Sequence, residues 1–235
     1  MSLHHLVEPG SLAGRLIAAD PALWRAYTEH PFVAGLQAGT LPLSAFRAYL
    51  VQDYLFLIHF ARAWALAAVK AEDPDEIRAC AATVHALVDE ELKLHIGYCA
   101  GFGLDEAALR RAPEHAATTA YTSFVLERGL AGDLLDLLVA LAPCVVGYGE
   151  IGARLAADPA TRLDGNPYRQ WIETYAGKAY AEVARAAAAQ LDRVAAARIG
   201  PEPERSPRWP ALLAAFARAT ALEIDFWRMG LDAAG

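Results

Sequence analysis

Cysteine is scarce in this chain: Cys80, Cys99 and Cys144 are the whole complement. No two of them make a CxxC pair. An odd, sparse set points to free thiols in a reducing compartment rather than to a disulfide framework. Lysine is scarce too. Of 21 basic residues only three are lysines, and the arginines are scattered, with Arg110-Arg111 the densest cluster. Against 28 acidic residues this leaves a net charge of −7, which argues against a nucleic-acid partner. The N-terminus has no basic segment followed by an apolar one, so no secretory signal is read there. The apolar run from Leu137 to Gly149 is uncharged for thirteen residues. Spanning a bilayer needs about 20, so no membrane partner is expected and a soluble cytoplasmic protein is. Hairpin signals are also missing: Asp164-Gly165 lies between polar segments rather than between alternating apolar runs.

What is present is apolar and helical. Hydrophobic residues make up 55% of the 235 and charged ones 21%. A chain of this size buries roughly 70% of its unfolded surface, so it needs no metal or disulfide to hold it. Alanine is the commonest residue, and long stretches contain neither glycine nor proline. The pattern predicts a long helix over Ser44–Val69. Asp73-Pro-Asp-Glu76 opens the next, with an acidic N-cap, proline at the first position and glutamate at the third. That helix runs to about Cys99. Others follow from Asp105, from about Pro113 to Glu127 closed by Gly129, and from Asp133 to Ala157 interrupted by Pro143. Tyr168–Arg198 reads as one long or broken helix, and Ser206-Pro207 opens the last. Residues 1–235 are read as a single all-α domain, a bundle of seven or eight helices.

Several motifs carry competing readings. Gly147-Tyr-Gly-Glu-Ile-Gly152 spells GxGxxG, but the pattern means dinucleotide binding only between a strand and a helix. Inside a helical period the glycines serve close packing. Cys144 sits in an apolar helix, where a cysteine is ordinarily a small hydrophobe. Pro143 beside it lacks a backbone N–H, and Tyr148 lies four residues on along the same face. Those features also suit an exposed nucleophile. Cys80 and Cys99 have no such company. Asp53, Phe56 and Phe60 share one face of their helix. A carboxylate there is costly unless it meets a ligand or bonds a neighbouring helix, and both readings stand. Glu223, with Phe226 and Trp227 three and four residues on, poses the same choice. Glu91 and His95 are spaced i, i+4, one longer than the Glu-x-x-His of di-iron bundles, and no second such helix exists. A helix-to-helix hydrogen bond is expected there, not a metal.

Read together, these stretches resemble one family. Trp24, His30-Pro-Phe-Val33, Gly39-Thr-Leu-Pro42, Phe46, Tyr49 and Gln52-Asp53 lie in the first part. Tyr121-Thr-Ser123, Leu141-Ala-Pro-Cys144, Tyr148 and Glu150-Ile-Gly152 follow. Trp171-Ile-Glu-Thr-Tyr175 and Glu223-Ile-Asp-Phe-Trp227 complete the set, in order over nearly the whole chain. The sequence is similar to the TenA family of thiaminase II-type proteins, in its cysteine-bearing subgroup. The resemblance implies a haem-oxygenase-like helical fold. It also implies an aminopyrimidine aminohydrolase acting in thiamin salvage, a homotetramer, and no metal or organic cofactor. By resemblance Cys144 is the nucleophile and Glu223 the acid/base at the pyrimidine. Tyr175 is then held against the cysteine, and Asp53 binds the aminopyrimidine edge. Tyr121 and Tyr148 become pocket aromatics beside Phe60. Phe56 stands where some relatives carry tyrosine, which removes a hydroxyl from the pocket. Two other classes compete: a haem or di-iron oxygenase on the same fold, and a non-enzymatic pyrimidine-binding or regulatory protein.

Overall fold

A computed structural model describes residues 6–234, and no strand occurs among them. In chain order the first helices are α1 (Leu12–Ala19), α2 (Pro21–Thr28), α3 (Pro31–Ala38) and α4 (Leu43–Lys70). Next come α5 (Pro74–His85), a π-turn over Ala86–Glu91, α6 (Leu92–Gly101) and α7 (Glu106–Arg111). The rest are α8 (Ala116–Ala131), α9 (Leu134–Ala157), α10 (Arg169–Ala176), α11 (Lys178–Ile199) and α12 (Trp209–Asp232). The all-α expectation holds. Seven of these described helices have ten residues or more, and α1, α2, α3, α7 and α10 are shorter additions.

The chain divides into two compact units. One comprises the residues up to Leu41 together with Leu138–Ile224; the other comprises Pro42–Leu137 with the residues from Asp225 on. The division falls inside α9 and α12, so two helices are shared by the units.

In the first unit, short polar signals punctuate the N-terminal helices. Ser11, Asp20 and His30 each accept a backbone N–H from the helix they start, and Pro21 and Pro31 occupy first positions. Gly39 ends α3 at φ +70°, a left-handed conformation that glycine adopts freely. Asn166 then fastens the loop before α10. Its amide donates to the carbonyls of Leu36 (2.8 Å) and Arg162 (2.7 Å), and its oxygen accepts from Tyr168 N. The helix expected over Tyr168–Arg198 is broken at Gly177 into α10 and α11.

In the second unit, α5, α6, α7 and α8 all pack on α4. That is why α4 buries a stripe of Phe46, Tyr49, Leu50, Phe56, Leu57, Phe60 and Trp64. Burying each such side chain contributes about 1.5–3 kcal/mol. Asp73 caps α5 through the N–H groups of Asp75 and Glu76, as its sequence predicts. Gln52 joins α4 to the start of α8: it donates to Pro113 O (3.0 Å) and accepts from His115 N and the Thr118 hydroxyl.

Three expectations need correction. The helix after Asp73 does not run evenly to Cys99 but passes through the π-turn. Gly129 does not close α8; it lies within it. A Cβ there would sit 2.7 Å from Leu66 Cδ2 and 3.1 Å from Leu137 Cδ1, so the glycine marks a close approach. Pro143 does not interrupt α9, which continues through it as one helix. Although α9 is long and apolar enough to cross a membrane, 83% of its most apolar stretch is buried, as in a core helix.

Candidate active site

The candidate residues fall into two groups, one in each unit. In the second unit, α4 presents Tyr49, Asp53, Phe56 and Phe60 along one face, as i, i+4, i+7 and i+11 spacing requires. The Phe56 ring lies 5.0 Å from Tyr121, 5.4 Å from Phe60 and 5.8 Å from Phe226, centroid to centroid. Tyr49 meets Trp227 at 5.4 Å and Phe226 at 6.1 Å. The structure thus brings together Asp53, Phe56, Phe60 and Tyr121, four residues that the sequence singles out.

Asp53 is 7% exposed among these rings. Burial pushes its carboxyl up to about 7, partly offset by the Tyr49 hydroxyl, which donates to Oδ2 at 3.4 Å. His95, on α6, also reaches it: Nδ1 lies 3.5 Å from Asp53 Oδ2, while Nε2 lies 2.9 Å from Leu50 O. The second contact is the helix-to-helix hydrogen bond expected for His95. The first was not legible, because spacing along one helix says nothing about which residue of another helix it meets. Glu91, at the end of the π-turn, is pushed up to about 7 by burial and then by the Asp53 charge. Among the described residues no group of three His, Cys, Asp or Glu side chains is arranged to hold a metal ion.

In the first unit, α9 carries Cys144 and Tyr148 one turn apart. Cys144 is partly exposed, whereas Cys80 and Cys99 are fully buried; all three are thiols. The Tyr148 ring lies 4.9 Å from that of Tyr175, which in turn meets Trp171 at 4.6 Å and Tyr180 at 4.8 Å. The Tyr180 hydroxyl donates to Val145 O at 3.3 Å, on the turn that holds Cys144. Glu223 is 2% exposed on α12.

The three glycines of the GxGxxG pattern lie inside α9, and packing explains them. A Cβ at Gly147 would lie 2.2 Å from the Tyr27 ring, and one at Gly152 would lie 2.2 Å from the Tyr175 carbonyl carbon. At Gly149 it would meet Ala184 at 3.1 Å. Gly152 therefore lets the end of α10 press Tyr175 against α9. Glu150 accepts the Trp24 indole N–H at 2.7 Å. Burial pushes its carboxyl up to about 7.

The pattern of the TENA/THI-4/PQQC family matches residues 19–233. The chain belongs to that family. An aminopyrimidine aminohydrolase from Halalkalibacterium halodurans is 34% identical over 220-odd residues, covering 94% of this chain and 96% of its own. A solved structure described as a TenA family transcription regulator, from a Silicibacter strain, is 53% identical with a TM-score of 0.91. It covers 95% of this chain and 98% of that one. A Shewanella denitrificans domain with a haem-oxygenase-like fold superposes at a TM-score of 0.71 and 17% identity, over 93% of this chain and 91% of that one. That likeness speaks for the fold, and the fold expected from the TenA resemblance is the one observed.

Proposed function

We propose that this protein is an aminopyrimidine aminohydrolase of thiamin salvage. It would convert 4-amino-5-aminomethyl-2-methylpyrimidine and water to 4-amino-5-hydroxymethyl-2-methylpyrimidine and ammonia. Support comes from the like-named relative that aligns along nearly its whole length. The observation that carries the reading is Asp53, a buried carboxyl poised near neutrality among Tyr49, Phe56 and Tyr121. A flat aminopyrimidine needs aromatic walls to lie against and a carboxyl to take its amidine-like edge. Phe60 extends those walls.

The chemistry follows from an electron-poor ring. The Cys144 thiolate adds to a ring carbon while Glu223 gives a proton to a ring nitrogen. The aminomethyl group enters as its ammonium, and the electrons so gained by the ring expel it as ammonia from the 5-methylene. Water adds there and gives up one proton to solvent, Glu223 takes back the ring proton, and the thiolate leaves with the ring restored. Tyr175 orients the cysteine. Thiamin would react in the same way, with its thiazole as leaving group. No metal or cofactor takes part, and the protein would act in the cytoplasm as a homotetramer.

The name of the Silicibacter relative favours a second reading, a pyrimidine-binding regulator without turnover. One experiment decides. Purified protein is given the aminomethyl pyrimidine and, separately, thiamin, and ammonia and thiazole are measured. Turnover of either supports the hydrolase. Tight binding of the hydroxymethyl product without turnover of either supports the regulator. A coloured, iron-bearing preparation would instead point to an oxygenase.

A further inference from the structure

Four groups from α4, the π-turn and α6 meet around Asp53, and the mechanism above uses Asp53 alone. His95 Nε2 lies 2.9 Å from the Leu50 carbonyl oxygen. A carbonyl oxygen only accepts, so this nitrogen carries a hydrogen. In the neutral imidazole Nδ1 is then an acceptor. Nδ1 faces Asp53 Oδ2 at 3.5 Å, and two acceptors placed this way repel unless a proton lies between them. The proton is either on Asp53, with His95 neutral, or on His95, with Asp53 ionised. Burial disfavours the imidazolium and lowers the affinity of His95 for its proton. Burial also favours the neutral form of Asp53. The neutral pair therefore prevails, with the proton on Oδ2 and directed at Nδ1.

No other group among the described residues of this unit overrides that arrangement. Those acting on Asp53 are the Tyr49 hydroxyl, Glu91 and the Cys99 thiol. None is a cation. Burial and the Asp53 charge push Cys99 up to about 12, so it stays protonated. Burial and the Asp53 charge push Glu91 up to about 7, and its own charge opposes that of Asp53. The contacts to Asp53 from Tyr49 and His95 both fall on Oδ2. Oδ1 is the oxygen left for a ligand.

We infer that His95 is a positioning residue for Asp53, holding Oδ2 through one shared proton so that Oδ1 accepts from the amino group of the aminopyrimidine. Glu91 biases the same proton: when it ionises, Asp53 holds on more tightly. This rests on the reading of Asp53 as the pyrimidine-binding carboxyl.

The test measures dissociation of the hydroxymethyl product by calorimetry from pH 5 to 9, together with kcat and KM. Wild type is compared with His95→Gln, His95→Asn, Glu91→Gln and Asp53→Asn. The pyrimidine's own titration is common to all and cancels in the differences. His95→Gln keeps an amide for Leu50 O but loses the acceptor for the Asp53 proton. KM should rise about tenfold, the equivalent of about 1.4 kcal/mol, with kcat within about threefold. The pH midpoint of binding should fall. His95→Asn places an amide near the Nδ1 position and should recover most of the KM. Glu91→Gln removes the opposing charge, so it too should lower the midpoint, with little change in KM below it. If Asp53→Asn raises KM while His95→Gln keeps both the wild-type KM and midpoint, the inference is overturned and the reading of Asp53 stands. If Asp53→Asn leaves KM unchanged, that reading fails and takes the inference with it. Should His95→Gln not fold, as judged by thermal melting, the midpoint in Glu91→Gln and the KM of His95→Asn decide the matter: an unmoved midpoint overturns it.

Discussion

Trp24 donates its indole N–H to Glu150 across 2.7 Å, joining α2 to α9 through a carboxyl that burial pushes up to about 7. A raised folded-state value means the native protein binds this proton more tightly than the unfolded chain does. The resulting stability is fully present below the ordinary glutamate value and is lost as pH rises towards 7. Glu150→Gln retains an acceptor for Trp24 and does not titrate. Thermal melting of both proteins between pH 4.5 and 8 should show the variant gaining on wild type as pH rises. A pH-independent difference would show that Glu150 does not titrate in this window.

Cys144→Ser should keep the fold and lose turnover by several orders of magnitude, because a hydroxyl is far less nucleophilic than a thiolate near neutral pH. Cys80→Ser and Cys99→Ser place a hydroxyl where the side chain is wholly buried, so they should lower Tm and spare kcat. Steady-state rates and melting curves on the three variants check the assignment. A serine at 144 with near wild-type rate would rule out covalent catalysis.

Glu223→Gln keeps size and hydrogen bonding but cannot carry a proton. Product binding should weaken modestly at most, while kcat falls by about 10²-fold or more. The pH–rate profile should lose one limb. Calorimetry and kcat across pH, on one preparation, separate the two effects. A kcat within a few-fold of wild type would leave Glu223 an orienting residue and pass the proton to Tyr175 or water.

Gly152→Ala should destabilise by about 1–3 kcal/mol, the usual cost of overpacking. The new Cβ would meet backbone, 2.2 Å from the Tyr175 carbonyl carbon, and backbone cannot swing aside. Because the obstruction displaces Tyr175, kcat should fall as well. Gly149→Ala, whose Cβ meets Ala184 at 3.1 Å, should be the milder change in both melting temperature and rate.

The parts of the fold set by local rules were legible in the sequence. Asp73-Pro74 starts a helix by capping chemistry that needs no distant partner, and it does so in the structure. The same rules apply to Ser11, Asp20-Pro21 and His30-Pro31, and α1 to α3 could have been assigned from them. Gly129 misled because a glycine that ends a helix and one that admits a neighbouring leucine look alike in one dimension. The aromatic face around Asp53 followed from helical spacing. The contact from His95 did not, since it depends on how two helices pack and on a π-turn that leaves no compositional mark.

That π-turn, Ala86–Glu91, has a consequence for inheritance. A π-turn holds one residue more than the α-helical stretch it replaces. The wider turn absorbs that residue, so deleting one there would let the helix run through as α with His95 and Cys99 kept on their present faces. Outside the stretch there is no such slack: each residue of an α-helix turns its successor by about 100°, so a deletion rotates everything downstream by that angle. A codon lost within Ala86–Glu91 would thus leave His95 beside Asp53, whereas one lost at Leu92–Leu94 would turn it away while every side chain near the carboxyl kept its identity.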